Sequence, residues 1–393
     1  MIVLNWNGRE DTLACLAALD PQLREVYGSS MTVVDNGSTD GSIAAVTARF
    51  PHARFIPLGT NRGFTGGIAA ALETSRARNV IFLNNDAVPD GGWLAALSRA
   101  IDDAPEDVVS VGGRILDPSG SRIDFIGGVM TFDGHALQNG FHMPLGSLPE
   151  PSAGDEIFFA CGGNMISRRE RLIELGGFDD DYFAYLEDVD FGWRSWIAGS
   201  RVIYEPAATV HHASSTTSNR LGSFERGVLF ERNAMQTAIK NFENLRESAG
   251  SIFLTYLHRL HHYATTRNPN AAELTREMGA PTSRTAAARR RLRDRVKRRL
   301  RGPEPLVAID DPLTTMQFRA FDWVLRNETR LAEKRAHVQA MRRRSDSEIF
   351  ERFPLRFVPT YPGDEELMNS ALFRLLRSQL PSLEQKLADI IHL

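Results

Sequence analysis

Short apolar runs alternate with helical patterns along the first half of the chain. Ile2 to Asn5, Met31 to Asp35 and Val80 to Leu83 read as strands, and Arg54 to Leu58 as extended. Between them, Asp11 to Leu19 places Leu13, Leu16 and Leu19 at helical spacing, and Ser42 to Phe50 and Gly66 to Ser75 also read as helices. Runs that are apolar without alternation belong to strands covered on both faces. Such β/α alternation with short connections predicts an α/β fold with a mainly parallel sheet flanked by helices. Ligands of open parallel sheets bind outside the carboxyl ends of the strands. Three polar loops fall there: Asp35 to Gly41, Asn61 to Gly67, and Asn84-Asn85-Asp86.

The pattern then loosens. Val108 to Pro151 is rich in Gly and Pro and reads as irregular or hairpin-like. Beyond Ile157 it sharpens, with a helix from Arg168 to Leu175 and another opened by Glu187, in which Val189, Trp193 and Trp196 share one face. An extended Arg201 to Tyr204 leads to the pair His211-His212. After about Phe224 glycine becomes scarce and helical periodicity takes over, as in Phe318, Phe321, Val324, Leu325 and Leu331. The chain therefore divides into an α/β part, residues 1–225, and a mostly helical part, residues 226–393.

Composition adds limits. At 393 residues the chain is long enough for two domains, and Lys+Arg 46 against Asp+Glu 49 leaves a net charge of -3, which argues against a general nucleic-acid binder. Two cysteines, Cys15 and Cys161, exclude a disulfide scaffold and favour a reducing compartment. The first residues lack a basic leader with a long apolar run, so a cytoplasmic protein is expected. The apolar stretch Ile252 to Tyr263 is broken by His258, Arg259, His261 and His262, so no transmembrane helix is expected, and the histidines, without acids nearby, read as surface or packing residues. One region breaks the charge balance: Arg284 to Arg301 holds ten basic residues and a single acid, Asp294. It reads either as a solvated helix or linker, or as a basic helix lying on an anionic surface, the inner face of the plasma membrane. No aromatics are interleaved for stacking on bases, so nucleic acid is not the expected partner.

The loops carry a further signal. Val3-Leu4-Asn5-Trp6-Asn7-Gly8, Val34-Asp35-Asn36-Gly37-Ser38-Thr39-Asp40-Gly41, Asn61-Arg62-Gly63-Phe64, Leu83-Asn84-Asn85-Asp86, Gly176-Gly177-Phe178-Asp179 and Glu187-Asp188-Val189-Asp190 keep the order and spacing of known motifs. Together they resemble the family 2 glycosyltransferases of GT-A fold, closest to the bacterial rhamnosyltransferase-type branch, over roughly residues 1 to 225. The resemblance implies an inverting, metal-dependent transfer of a sugar, rhamnose by branch, from a UDP-, dTDP- or GDP-sugar to a hydroxyl of a glycan or lipid-linked glycan in cell-surface polysaccharide synthesis.

The same resemblance implies roles residue by residue. Asp86 matches the last carboxylate of an Asp-x-Asp element whose first acid is Asn84 here, and His211 the histidine that shares the metal, Mn²⁺ or Mg²⁺. His212, its neighbour, would point the other way on a strand. Asp188 matches the general base. Trp6, Asp35, Arg62, Gly63, Asn85, Asp86 and Gly163 fall on the nucleotide-sugar side, and Asp179, Tyr182 and Glu187 on the acceptor side. Each has a plainer reading: Asp35 as a turn former, Trp6 as core, Asn84-Asn85-Asp86 as a strand end, Glu187-Asp188 as acids complementing a helix dipole. The helical region is open to acceptor, membrane or homo-oligomer contact. A dinucleotide-dependent oxidoreductase fails because the first strand is followed by Asn5-Trp6-Asn7-Gly8 and not by a glycine fingerprint. The remaining rival is an inactive sugar-nucleotide-binding or scaffold protein of the same fold.

Overall fold

The alternating runs form strands and helices where the pattern places them. In the computed structural model, which describes residues 1–213, 221–265 and 312–392, β1 (Ile2–Asn5), β2 (Thr32–Asp35), β3 (Arg54–Pro57) and β4 (Asn79–Asn84) lie parallel. Val3 sits opposite Val33 on one side and Leu83 on the other. Val3, Val33, Val34 and Phe82 are fully buried, as unbroken apolar strands must be when helices cover both faces. The helices are α1 (Arg9–Leu23), α2 (Ser42–Arg49), α3 (Gly63–Thr74), α4 (Trp93–Asp103), α5 (Arg169–Glu174) and α6 (Glu187–Ile197).

The second half of the sheet departs from the parallel expectation. β5 (Ala87–Pro89), β6 (Val108–Leu116), β7 (Ile123–Phe125), β10 (Asn164–Arg168) and β11 (Arg201–His212) extend it in the order β3-β2-β1-β4-β10-β6-β11-β5, with β7 on β6. β10 runs antiparallel to both β4 and β6, so the sheet is mixed. β6, in the Gly-rich run read as irregular, is one of its central strands. The small hairpin of β8 (Gly128–Met130) and β9 (Ala136–Gln138) follows, where hairpin structure was expected.

The helical part packs onto this sheet as part of the same core. α7 (Ser223–Asn241) and α8 (Leu245–Thr265) precede α9 (Pro312–Arg326), α10 (Glu328–Ala340) and α11 (Asp346–Arg352). Trp193 on α6 meets Phe242 edge-on at 4.8 Å and Phe350 of α11 at 5.5 Å between ring centroids. Val189, Trp193 and Trp196 are all buried, as the helical face required. The basic segment 284–301 lies outside the described residues.

A buried ionic cluster joins the hairpin to the helices. Arg259 of α8 contacts Asp133 and Asp364, each at 2.8 Å, and His135 lies 3.2 Å from Asp133 and 3.6 Å from Glu231 of α7. Burial opposes a charge on His135, but Asp133 and Glu231 outweigh it and raise its pKa to about 9. A folded-state pKa above the unfolded value of about 6.5 stabilises fully below pH 6.5, and that stabilisation is lost as pH rises toward 9. The wild type is expected to lose about 2–3 kcal/mol more than His135→Gln between pH 6.5 and 9.5, read from urea midpoints. Parallel profiles for the two proteins would refute the assignment.

Candidate active site

Three loops at the carboxyl ends of the parallel strands are tied together by two asparagines. Asn5, ending β1, donates to Asp35 Oδ1 and Ser38 Oγ, both at 3.0 Å, and accepts from Thr12 Oγ1 at 2.8 Å. Asn36 donates to Asn61 Oδ1 and to the Gly63 carbonyl, each at 2.9 Å, and accepts from the Arg62 amide at 2.8 Å. Trp6 is half-buried and Arg62 exposed at the resulting rim. Gly63 has φ +74°, and a Cβ there would stand 2.3 Å from the Phe183 carbonyl oxygen, so a side chain is excluded by both conformation and space.

Two residues expected on the nucleotide side turn inward. Asp35 is 1% exposed and holds its own loop, accepting from Asn5 and from the Ser38 amide at 3.0 Å, which is the turn-forming reading. Asn85 is buried and donates to Thr12 Oγ1 at 3.0 Å, because the residue between Asn84 and Asp86 points into the sheet-helix interior.

Of the histidine pair, the second member faces Asp86. β11 pairs antiparallel with β5, setting His212 opposite Ala87, next to Asp86. His212 Nε2 lies 3.1 Å from Asp86 Oδ1, and its Nδ1 lies 2.8 Å from Asp124 Oδ2. His211, the residue expected beside Asp86, faces the opposite side of the strand, with Nε2 3.0 Å from Asp90 Oδ1. Alternation along a strand makes the two exclusive. Burial works against a charge on His212, but the Asp124 and Asp86 carboxylates prevail and raise its pKa to about 10.

The geometry suits a cation. Ligand atoms in neighbouring positions around an ion bound at about 2.1 Å are about 3 Å apart, the separation of Asp86 Oδ1 and His212 Nε2. Among the described residues no group of three or more His, Cys, Asp or Glu side chains converges as a ready-made metal cage. The pair by itself would supply two of the several donors such an ion takes.

A carboxylate pair opens α6 on the same rim. Asp188 accepts from the Gly162 amide at 2.9 Å and the Val189 amide at 2.8 Å. The adjoining Gly163 carbonyl accepts from the Asn84 amide at 3.1 Å, so one loop connects the Asp188 corner to the Asp86 corner. Burial raises the Asp188 pKa, moderated by those two amides. Glu187 is buried with Oε2 unpartnered, and burial together with Asp188 drives its pKa well above the usual range.

The expected acceptor-side residues are instead supports. Tyr182 is fully buried, its hydroxyl 2.6 Å from Thr237 Oγ1, and Glu187 is buried as described. Asp179 is bound by Lys240 at 2.5 Å and by Lys334, and these cations, overruling burial, hold its carboxyl far below the usual range. The loop between them is strained: Phe183, Tyr185 and Leu186 all have φ between +64° and +73°. Asn233 of α7 restrains it, donating to the carbonyls of Tyr182, Ala184 and Tyr185 at 3.1, 2.8 and 2.7 Å. The sequence reading passed over Asn233. Its signal was present: Asn233, Thr237, Lys240 and Asn241 make a polar stripe at helical spacing, and all are buried.

Residues 1–176 match the profile of Glycosyl transferase family 2. Those residues form a family 2 glycosyl transferase domain. Among relatives of this glycosyltransferase, the N-acetylglucosaminyl-diphospho-decaprenol L-rhamnosyltransferase of Mycobacterium tuberculosis is 29% identical over 214 residues, covering 48% of this chain and 68% of the relative. The O-antigen biosynthesis protein RfbC of Myxococcus xanthus is 29% identical over 228 residues, 55% of this chain and 17% of its own length. The likeness to the rhamnosyltransferase-type branch seen in the motifs is thus matched by relatives. The crystal structure of GalNAc-T7 with UDP, GalNAc and Mn²⁺ superposes with a TM-score of 0.50 at 12% identity, over 65% of this chain and 50% of that one, in agreement with a GT-A fold. Among the described residues of the glycosyltransferase no helix is long and apolar enough to cross a membrane.

Proposed function

We propose that this glycosyltransferase moves a sugar, a rhamnose by likeness to its relatives, from a nucleotide-diphosphate donor to a hydroxyl of a glycan or lipid-linked glycan acceptor, with inversion. The observation that carries the reading is the 3.1 Å approach of Asp86 Oδ1 and His212 Nε2 at the carboxyl ends of the strands, on the rim that also holds Asp188. Mn²⁺ or Mg²⁺ held by Asp86 and His212 would neutralise charge on the leaving diphosphate. Trp6, Arg62 and Gly63 border the nucleotide, with Asp35 and Asn85 shaping their loops from behind. Asp188 takes the acceptor proton as the acceptor oxygen bonds to the anomeric carbon and the bond to the diphosphate oxygen breaks. The Gly162 and Val189 amides aim its carboxylate and stabilise its charged form.

Residues 1–225 supply this chemistry, and the helical part, 226–393, shapes the acceptor side through α7. Asp86→Ala is expected to weaken nucleoside-diphosphate binding in Mn²⁺ at least about tenfold while leaving metal-free binding nearly unchanged. Calorimetry with and without Mn²⁺ tests this; equal affinities for the variant and the wild type in Mn²⁺ would overturn the reading.

A further inference from the structure

The side of His212 that faces away from Asp86 is as constrained as the side that faces it. Asp124, on the short edge strand β7, places Oδ2 2.8 Å from His212 Nδ1 and is 4% exposed. Its other oxygen, Oδ1, accepts from Gln138 Nε2 of β9 at 3.2 Å. Both carboxylate oxygens are therefore assigned, one to the imidazole and one to an amide that can only donate from that atom.

We propose that Asp124 is a positioning residue for the metal corner: it keeps a proton on Nδ1 of His212, so that Nε2 is the nitrogen that gives up its proton when a cation binds beside Asp86. This rests on the reading of Asp86 and His212 as cation ligands and goes beyond it, since Asp124 itself touches neither cation nor substrate. An imidazole binds a cation through one nitrogen only when that nitrogen is unprotonated. A carboxylate accepting from the other nitrogen fixes both the tautomer and the ring plane. Asp124 is 88 residues from His212 in sequence, and β7 pairs with the main sheet through β6. The hairpin that follows it supplies Gln138, so the whole segment from β7 to β9 acts as a bracket behind the metal corner.

The arrangement makes a tautomer-specific prediction. In Asp124→Asn, Gln138 Nε2 still requires an acceptor, so the introduced amide turns its oxygen toward Gln138 and its NH₂ toward His212. The imidazole must then accept on Nδ1 and carry its proton on Nε2, where it blocks the cation. Adding Gln138→Glu reverses this, because a carboxylate at 138 accepts from the introduced NH₂ and returns the amide oxygen to His212 Nδ1. The probe is Mn²⁺ alone, followed by loss of the free Mn²⁺ paramagnetic resonance signal on the full chain. Asp124→Asn is expected to weaken Mn²⁺ binding about 10- to 100-fold, and the double variant to regain most of that loss. Unfolding midpoints in chelator should fall for both variants, since each lacks the Asp124 charge beside His212, so a return of Mn²⁺ binding in the double variant without a matching return of stability separates the tautomer role from a merely structural one. Asp86→Ala is the reference. If it weakens Mn²⁺ binding while Asp124→Asn binds like wild type, the role of Asp124 is overturned and the metal reading stands. A double variant as weak as Asp124→Asn also overturns the tautomer role. If Asp86→Ala binds Mn²⁺ like wild type, the metal reading itself falls, and this inference with it.

Discussion

Asp188→Asn is expected to lower the turnover number by a factor of about 10² to 10⁴ with little change in donor affinity. The substitution keeps size, and its single oxygen can still accept from one of the Gly162 and Val189 amides, which reach different oxygens of Asp188, so one of the two bonds is kept and the other lost. What it removes as well is the carboxylate proposed to take the acceptor proton, while the neighbouring Glu187 is buried, with its pKa driven well above the usual range by burial and by Asp188. The wild-type rate should also fall as pH drops through the raised pKa of Asp188, because the base works only when ionised, and the variant should lose that acid limb. Steady-state rates for both proteins across pH 5 to 8, with donor affinity by calorimetry, test this. Wild-type-like turnover by the variant would remove Asp188 from the mechanism and favour the rival of an inactive sugar-nucleotide-binding protein whose pocket alone is intact.

Arg259→Met is expected to destabilise the protein by about 3–5 kcal/mol. Arg259 is 1% exposed, binds Asp133 through one nitrogen and Asp364 through two, and lies 4.2 Å from the Tyr361 ring centroid. Methionine fills similar space but leaves Asp133 and Asp364 in a low-dielectric interior without their shared cation, and an uncompensated buried charge is among the costliest defects in a core. Arg259→Lys should recover only part of the loss, because an ammonium cannot reproduce the two-pronged contact with Asp364. Urea unfolding at pH 7 reads both variants, and a midpoint for Arg259→Met equal to wild type would show that the cluster contributes nothing net. Because Asp133 belongs to the loop between β8 and β9, the same variant is expected to loosen the segment behind His212.

Much of the α/β half was legible because its strands are covered on both faces and its helices on one, and burial of that kind writes itself into local periodicity. The face of Val189, Trp193 and Trp196 is such a case. β6 was not legible for the opposite reason. Gly113 lies in it because a Cβ would stand 2.3 Å from the Ala208 carbonyl oxygen and 2.4 Å from Asn164 Nδ2, so close packing between strands demands the residue that composition associates with loops. The support role of Tyr182 and Asp179 was hidden because their partners, Thr237, Lys240 and Lys334, come from helices far along the chain.

The sequence by itself determined the element pattern, the family motifs, and the presence of Asp86, Asp188 and a histidine pair in the right order. Tertiary structure decided which histidine faces Asp86, because facing on a strand is fixed only when the neighbouring strand sets its register, and β5 opposite β11 turns His212 toward Asp86. It also decided that Asp35, Asn85 and Glu187 face the interior and that Asp124 stands behind His212. Those assignments depend on contacts between residues dozens of positions apart, which local periodicity does not encode.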